Sequence, residues 1–241
     1  MEYDGTSYYG FQIQARRPTI QGTLEEVLTR LTGEGIRLRY AGRTDAGVHA
    51  VGQVISFCTR WRHSVADLER AWNALLPVDI AVRHVQSVAD QQFHPRYSAR
   101  SRVYRYTVWT APWRSPMHSR HSHHEPRPLD VDRMNQAARL LVGEHDFAAF
   151  GQPTQGECTV RSVAVAEWWR PEDSTKPLLL FTVEANAFLR RMVRSMVGIL
   201  LQVGKGFRTV EDVAEVLAAR DRRLAAPPAP PGGLCLMEVK Y

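Results

Sequence analysis

The order in which two hydrophobic periodicities appear along the chain constrains its fold more than any other feature. Apolar residues recur at helical spacing at Ile20, Leu24, Val27, Leu28 and Leu31, with Gly33 and Gly35 as stops, which predicts a helix. Ile36 to Tyr40 then alternates apolar and polar side chains, and Val51 to Phe57 follows as a second strand candidate. Ser64 and Asp67, ahead of Leu68, Trp72, Leu75 and Leu76, predict a capped helix closed by Pro77. Further strands are expected at 80–88, 101–110, 160–169, 178–185 and 234–240. Helices are expected at 130–142, 188–203 and 209–219, the last opened by the capping pair Thr209 and Asp212. Strand and helix are mixed in each half without regular alternation, which favours α+β over a doubly wound parallel sheet. The halves share a coarse pattern but no exact repeat. Two similar subdomains facing each other across a cleft are therefore expected, divided as residues 1–98 and 99–241. Pro227 to Pro231 reads as a stiff linker and Gly232-Gly233 as a flexible joint before the last strand.

Composition narrows the class. Hydrophobic residues make up 44% of the 241 and charged residues 23%, a balance that suits a globular chain and not a disordered one. No apolar run approaches the roughly 18 residues that span a bilayer. The start lacks a signal peptide's basic and apolar stretches. Cys58, Cys158 and Cys235 are odd in number and far apart, so neither a disulfide framework nor a zinc knuckle is expected, and a cytoplasmic setting is the default.

The net charge of +6 is concentrated. Between residues 91 and 127 lie Arg96, Arg100, Arg102, Arg105, Arg114, Arg120 and Arg127 against the single acid Glu125, so this stretch carries the whole surplus. Guanidinium groups suit bidentate contact with phosphate. Arg102-Val103-Tyr104-Arg105-Tyr106 interleaves cations with aromatics on an expected strand. Period-2 alternation puts Arg102, Tyr104 and Tyr106 on one side and Val103 and Arg105 on the other. A ring flanked by arginines is the combination that stacks a nucleobase, although a half-packed sheet edge reads the same way.

Residues 111–128 hold four prolines and four histidines and read as a long exposed loop. His118, His121, His123 and His124 with Glu125 match no metal-ligand spacing, so no metal is expected there. They read instead as an extension of a polyanion-binding surface. A Walker loop, a dinucleotide fingerprint and a Gly-x-Ser-x-Gly elbow are all missing from the sequence.

The loop Gly42-Arg43-Thr44-Asp45-Ala46-Gly47 joins two strand candidates. Its glycines let Asp45 be presented into a cleft; the alternative is a turn aspartate that bonds its own backbone. Arg43 stands two residues away, and Arg194 borders the apolar face of the 188–203 helix. A neighbouring guanidinium holds a carboxylate ionised, as a nucleophilic or basic aspartate requires.

Several blocks together resemble a known family. Glu2-Tyr3-Asp4-Gly5-Thr6-Ser7-Tyr8-Tyr9-Gly10-Phe11-Gln12, Ala41-Gly42-Arg43-Thr44-Asp45-Ala46-Gly47-Val48-His49 and Phe93-His94-Pro95-Arg96-Tyr97-Ser98-Ala99 are similar to tRNA pseudouridine synthase A. So are Tyr104-Arg105-Tyr106, Asp146-Phe147, Ala185-Asn186-Ala187-Phe188 and Met192-Val193-Arg194, in family order across nearly the whole chain. The chain departs from the family pattern at Phe11-Gln12-Ile13-Gln14 and in beginning directly before the Tyr-Asp-Gly block.

The resemblance implies two subdomains whose antiparallel sheets form a continuous sheet around a central RNA-binding cleft. It implies a homodimer, tRNA as substrate, and neither cofactor nor metal. Asp45 would be the catalytic aspartate, Arg43 would help displace the target base, Arg194 would pair with Asp45, and Tyr104 would stack on the flipped uracil. Arg96, Arg102 and Arg105 are the expected substrate-binding cations. Two other readings stay open: a tRNA-binding protein without catalysis, and a carboxylate-based hydrolase. The second lacks a partner carboxylate.

Overall fold

The first hundred residues build a set of short strands held by two helices. These are β1 (Glu2–Tyr3), α1 (Ile20–Thr32), β2 (Arg39–Tyr40), β3 (His49–Ala50), β4 (Ile55–Ser56), α2 (Val65–Leu75) and β5 (Ile80–Ala81). The long strand β6 (Ser101–Trp109) is followed by β7 (His123–His124), α3 (Val131–Arg139), β8 (Gly143–Asp146) and β9 (Val160–Trp169). Then come β10 (Leu178–Ala185), α4 (Met192–Gly204), α5 (Val210–Ala219), a 3₁₀ turn at Pro231–Gly233 and β11 (Leu234–Lys240). The computed structural model describes residues 1–90, 92–153, 156–172 and 175–241. They form two compact units, Met1–Arg100 with Leu236–Tyr241, and Ser101–Cys235.

In the first unit β1 pairs antiparallel with β3 and β5, and β2 pairs antiparallel with β4. Helix α1 forms where the spacing predicts. Thr19 caps its start, and Gly33, at φ 71°, ends it. Ile20, Leu24 and Leu28 are fully buried. Ser64 caps α2 by accepting the Asp67 N–H at 3.0 Å.

The strands of this unit are shorter than the alternation suggests, and side chains explain why. Ile36 and Leu38 are buried in alternation as expected, but only Arg39 and Tyr40 pair with another strand. The Leu38 N–H goes instead to a Glu25 carboxylate oxygen at 2.9 Å. Likewise Ile80–Val88 is a strand only at Ile80–Ala81, because Asn73 takes both polar groups of Val82: it accepts the N–H at 2.9 Å and donates to the carbonyl at 2.8 Å. The expected strand 51–57 is interrupted where Val51 and Gly52 both donate to the Leu236 carbonyl. A Cβ on Gly52 would lie 2.0 Å from the Met237 oxygen, so only glycine fits this crossing.

The second unit is built on an antiparallel sheet in the order β6-β10-β9-β8, with β7 added parallel to β6. Burial alternates along β6, with Arg102, Tyr104, Tyr106 and Val108 covered. Helix α3 packs on β9 and α4. Strand β8, Gly-Glu-His-Asp, has no apolar alternation and is invisible to the sequence reading.

Three expectations change here. The helix expected from residue 188 starts at Met192, because Arg190 forms a backbone bridge with Gln152 and Arg191 takes a left-handed φ of 66°. The 111–128 segment is not wholly an exposed loop: Trp113 and Met117 are exposed, but His123–His124 join the sheet and Glu125 is buried. Residues 227–233 are not a linker with a loose joint. The Pro230 carbonyl accepts the Tyr106 hydroxyl at 2.9 Å, and a Cβ on Gly233 would sit 2.7 Å from that ring.

Candidate active site

Asp45 lies half-buried on the turn between β2 and β3. The turn's own bond runs from the Val48 N–H to the Asp45 carbonyl at 3.1 Å, with Gly47 at φ 75°. The segment Asp4 to Phe11 supports this loop from beneath. Phe11 N–H donates to the Thr44 carbonyl at 3.1 Å, and Gly47 N–H to the Tyr8 carbonyl at 3.3 Å. Tyr3 and Thr44 share a hydroxyl–hydroxyl bond of 2.8 Å. Phe11, fully buried, packs its ring 4.7 Å from Tyr40.

Two glycines make that approach possible. Gly10, at φ 91°, lies so close that a Cβ would meet the Thr44 oxygen at 2.7 Å and the Asp45 carbonyl carbon at 3.2 Å. A Cβ on Gly5 would meet the Val48 oxygen at 2.0 Å. The Tyr-Asp-Gly block and the Asp45 loop are thus one packed body, although some forty residues of sequence separate them.

Arg43 is exposed and its Nε donates to the Tyr40 hydroxyl at 3.3 Å. Asp4 ties its own turn by accepting from the Thr6 N–H at 2.9 Å, and its carboxylate lies 3.1 Å from His49 Nδ1. Tyr8 donates to Asp79 at 2.7 Å; burial, then that bond, push the Tyr8 hydroxyl well above the ordinary phenol range. Arg96 is half-buried, with its guanidinium 5.4 Å from the Tyr97 ring. Burial and the charges of Arg39 and Arg96 hold His94 below the usual histidine range, so this corner favours a neutral imidazole.

The second unit gathers a different set. Tyr104 is 8% exposed and meets the Phe188 ring edge-on at 5.2 Å. Arg102, on the same side of β6, donates from Nη1 to the Asn186 carbonyl at 2.8 Å. It thereby holds the Asn186–Phe188 segment against Tyr104. The Asn186 side chain accepts from the Ser162 and Ala187 N–H groups, which fixes that segment further.

Arg194, in the first turn of α4, donates from Nε to the Ala229 carbonyl at 2.7 Å, and the Ala229 N–H returns a bond to the Arg194 carbonyl. The next carbonyl, Pro230, holds Tyr106. Burial pushes the Tyr106 hydroxyl up, and Arg194 offsets part of that shift. Arg102, Tyr104, Phe188, Tyr106 and Arg194 thus belong to one connected face of this unit.

Arg105 points to the other face, 5.5 Å from the Trp169 ring, with its Nε buried and without a hydrogen bond. The arginine-rich stretch therefore does not present a single surface. Arg127 is also committed elsewhere, to Glu125 at 2.9 Å, and Lys205 reaches the same carboxylate at 3.1 Å. His124 bonds the Ala111 carbonyl and His118 packs on Trp109, both of which fasten the loop. The sequence reading missed the anchors Ala229 and Pro230, which carry no local signal, and the supporting role of Gly5 and Gly10. The two glycines themselves were the available clue.

The chain is similar to known proteins along nearly its whole length. A family model described as tRNA pseudouridine synthase matches residues 1–98 and 137–241. The chain is 46% identical over 241 residues to tRNA pseudouridine synthase A of Geobacillus kaustophilus, a match covering 99% of this chain and 92% of that one. It is 45% identical to the protein of the same name from Roseiflexus castenholzii, covering 100% of this chain and 88% of the relative. For the Bordetella petrii protein of that name the identity is 44%, with 100% and 89% covered.

Proposed function

The chain belongs to the tRNA pseudouridine synthase family, and from that premise we propose that it isomerises uridine to pseudouridine in tRNA, with targets in the anticodon stem-loop. The observation that supports this most is the half-buried Asp45, carried on a turn that Gly5 and Gly10 allow the chain to brace from beneath. A reaction that lifts one base out of a stack and works on its sugar needs such a fixed carboxylate.

Extrusion of the uridine costs a few kcal/mol, roughly, and stacking on an aromatic ring returns about 1–3 kcal/mol per base. Tyr104, set by Phe188 and by the Arg102–Asn186 bond, supplies that ring. Arg43 takes the place vacated by the base. Arg194, fixed by Ala229, serves as counter-ion to Asp45. Arg96 adds positive charge for the RNA backbone. Arg105, on the Trp169 side of β6, supports the strand.

The N1–C1′ bond breaks, the uracil turns while retained, and a C5–C1′ bond forms. The C5 proton is then lost and N1 gains one. Asp45 acts either by attacking the sugar or by removing a sugar proton to give a glycal. The product is an isomer of the substrate, so the reaction consumes no oxidant or reductant. We further propose a homodimer with tRNA held across both subunits, working in the cytoplasm; no helix among the described residues is long and apolar enough to cross a membrane.

The test is tritium release from tRNA labelled at uridine C5. Asp45→Asn should bind tRNA and release nothing above background. Turnover near wild type in that variant would overturn the proposal, and binding without modification by the unaltered protein would favour the non-catalytic tRNA-binding reading.

A further inference from the structure

Residues 9–18 of the first unit carry an aromatic–cation pair that the mechanism above does not use. Both ends of this loop are tied down. The Tyr9 N–H donates to the Pro18 carbonyl at 2.9 Å, and the Gln14 side chain donates to the Tyr9 carbonyl. Gln14 and Arg17 form an antiparallel bridge, and Arg16 between them takes a left-handed φ of 60°. At the base of the loop the Ile20 and Gln21 N–H groups donate to the Gly10 and Phe11 carbonyls at 3.2 and 2.9 Å. The chain thus folds Arg17 back over Tyr9, with its guanidinium carbon 4.2 Å from the ring centroid.

Packing does not account for this pair. Tyr9 stays 44% exposed beneath the guanidinium, and Arg16 and Arg17 are exposed as well. Residues 9–18 contain no acid, and neither arginine forms an ion pair among the described residues. An open ring with an uncompensated guanidinium over it offers a π surface on which a base stacks and donors for the phosphate beside that base.

Position selects which base. Gly10, the neighbour of Tyr9, lies so close to the Asp45 turn that a Cβ there would be 3.2 Å from the Asp45 carbonyl carbon. Consecutive Cα atoms are about 3.8 Å apart, which puts the Tyr9 backbone within about 9 Å of the Asp45 backbone. Stacked nucleotides rise about 3.4 Å each, so that distance spans two or three of them. All of these residues belong to the first unit, so the spacing holds within one packed body.

We propose that Tyr9 and Arg17 form a stacking platform for an unpaired nucleotide beside the target uridine. When one base leaves the stack its neighbour loses a stacking partner. The Tyr9 ring replaces that partner, and Arg17 holds the adjoining phosphate. This inference rests on the proposed action on tRNA at Asp45 and adds a further contact to the same substrate.

The experiment uses the full chain with Tyr9→Ala, Tyr9→Phe and Arg17→Gln, and measures affinity for tRNA over a salt series. Both side chains are exposed, so melting temperatures should match wild type. Tyr9→Ala should bind about tenfold more weakly with the slope of log K against log salt unchanged, because stacking releases no counter-ions. Tyr9→Phe keeps the ring and should bind as wild type does. Arg17→Gln should weaken binding and flatten the slope by about 0.7–0.9 for the one phosphate lost. A second measurement separates stacking from a merely structural role. It uses tRNA with a single abasic site, moved in turn through the nucleotides flanking the target. At one position the missing base should cost wild type about tenfold and Tyr9→Ala almost nothing. Additive losses at every position, or wild-type affinity in both Tyr9→Ala and Arg17→Gln, would overturn the proposal. Pseudouridine formation by wild type is scored in parallel: its failure removes the enzymatic reading, whereas modification without coupling to any abasic site removes only the platform.

Discussion

Gly10→Ala is the sharpest test of how the Asp45 loop is held. Two costs arise at this position. Alanine at φ 91° is strained, and its Cβ would lie 2.7 Å from the Thr44 oxygen. Carbon–oxygen contacts settle near about 3.3 Å or beyond, so the carbonyl must retreat by about 0.6 Å. That carbonyl accepts the Phe11 N–H at 3.1 Å, so the retreat also weakens a hydrogen bond worth about 1 kcal/mol. Gly33→Ala isolates the first cost, because Gly33 has φ 71° but nothing within 4 Å of a Cβ. We expect about 1 kcal/mol of destabilisation at Gly33 and about 3 kcal/mol at Gly10. In melting temperature these correspond to roughly 3 °C and roughly 9 °C for a chain of this size. Activity should separate them further. A displacement of 1 Å costs about a hundredfold, so Gly10→Ala should lose about tenfold in single-turnover tritium release at a temperature where both variants are folded. Gly33→Ala should lose almost nothing. Equal melting temperatures and equal rates for the two variants would refute the idea that the Tyr-Asp-Gly block positions Asp45.

Two other expectations concern stability. Asn73→Ala removes both bonds to Val82, about 2 kcal/mol in all, and should speed hydrogen exchange at the Val82 amide by about thirtyfold. Unchanged exchange there would mean that the edge at Ile80–Val82 is held by something else. Glu125→Gln leaves the largely covered Lys205 without its carboxylate and should cost about 3 kcal/mol, read by denaturant unfolding. Burial alone would raise the Glu125 carboxyl, but its bonds to Arg127 and Lys205 bring it below the ordinary range. A depressed carboxylate contributes stability above its unfolded value of about 4.3, and that contribution is lost as pH falls through the lower folded value. The variant should therefore show a flatter acid limb below about pH 4 than wild type.

What the sequence reveals is what residues settle with near neighbours. Ser64 with Asp67 and Thr209 with Asp212 cap helices through contacts three residues apart, and both appear where expected. The two-sided character of β6 follows from period-2 alternation, which is why Arg102, Tyr104 and Tyr106 share a covered side. Strand lengths in the first unit were not legible, because Glu25 and Asn73 replace partner strands from thirteen and nine residues away. The left-handed turn at Arg191 was hidden inside an apolar helical pattern, since arginine carries no mark of positive φ. The residues proposed for the site, Asp45, Arg43, Tyr104 and Arg194, were named from motif blocks. The supports beneath them lie up to 124 residues away in sequence, as Tyr106 and Pro230 do, and only the folded chain reveals them.

The segment that fastens Arg194 and Tyr106 contains Pro227, Pro228, Pro230 and Pro231. Ordering an ordinary residue costs about 1–2 kcal/mol of chain entropy, but proline has already given up much of that freedom before folding. The carbonyls of Ala229 and Pro230 therefore reach their partners at a small entropic cost. Alanine at the flanking prolines would leave both hydrogen bonds in place and still loosen the first turn of α4, because the unfolded segment would have more conformations to return to. Part of the rigidity around Arg194 thus resides in the unfolded chain, in states that no folded contact describes.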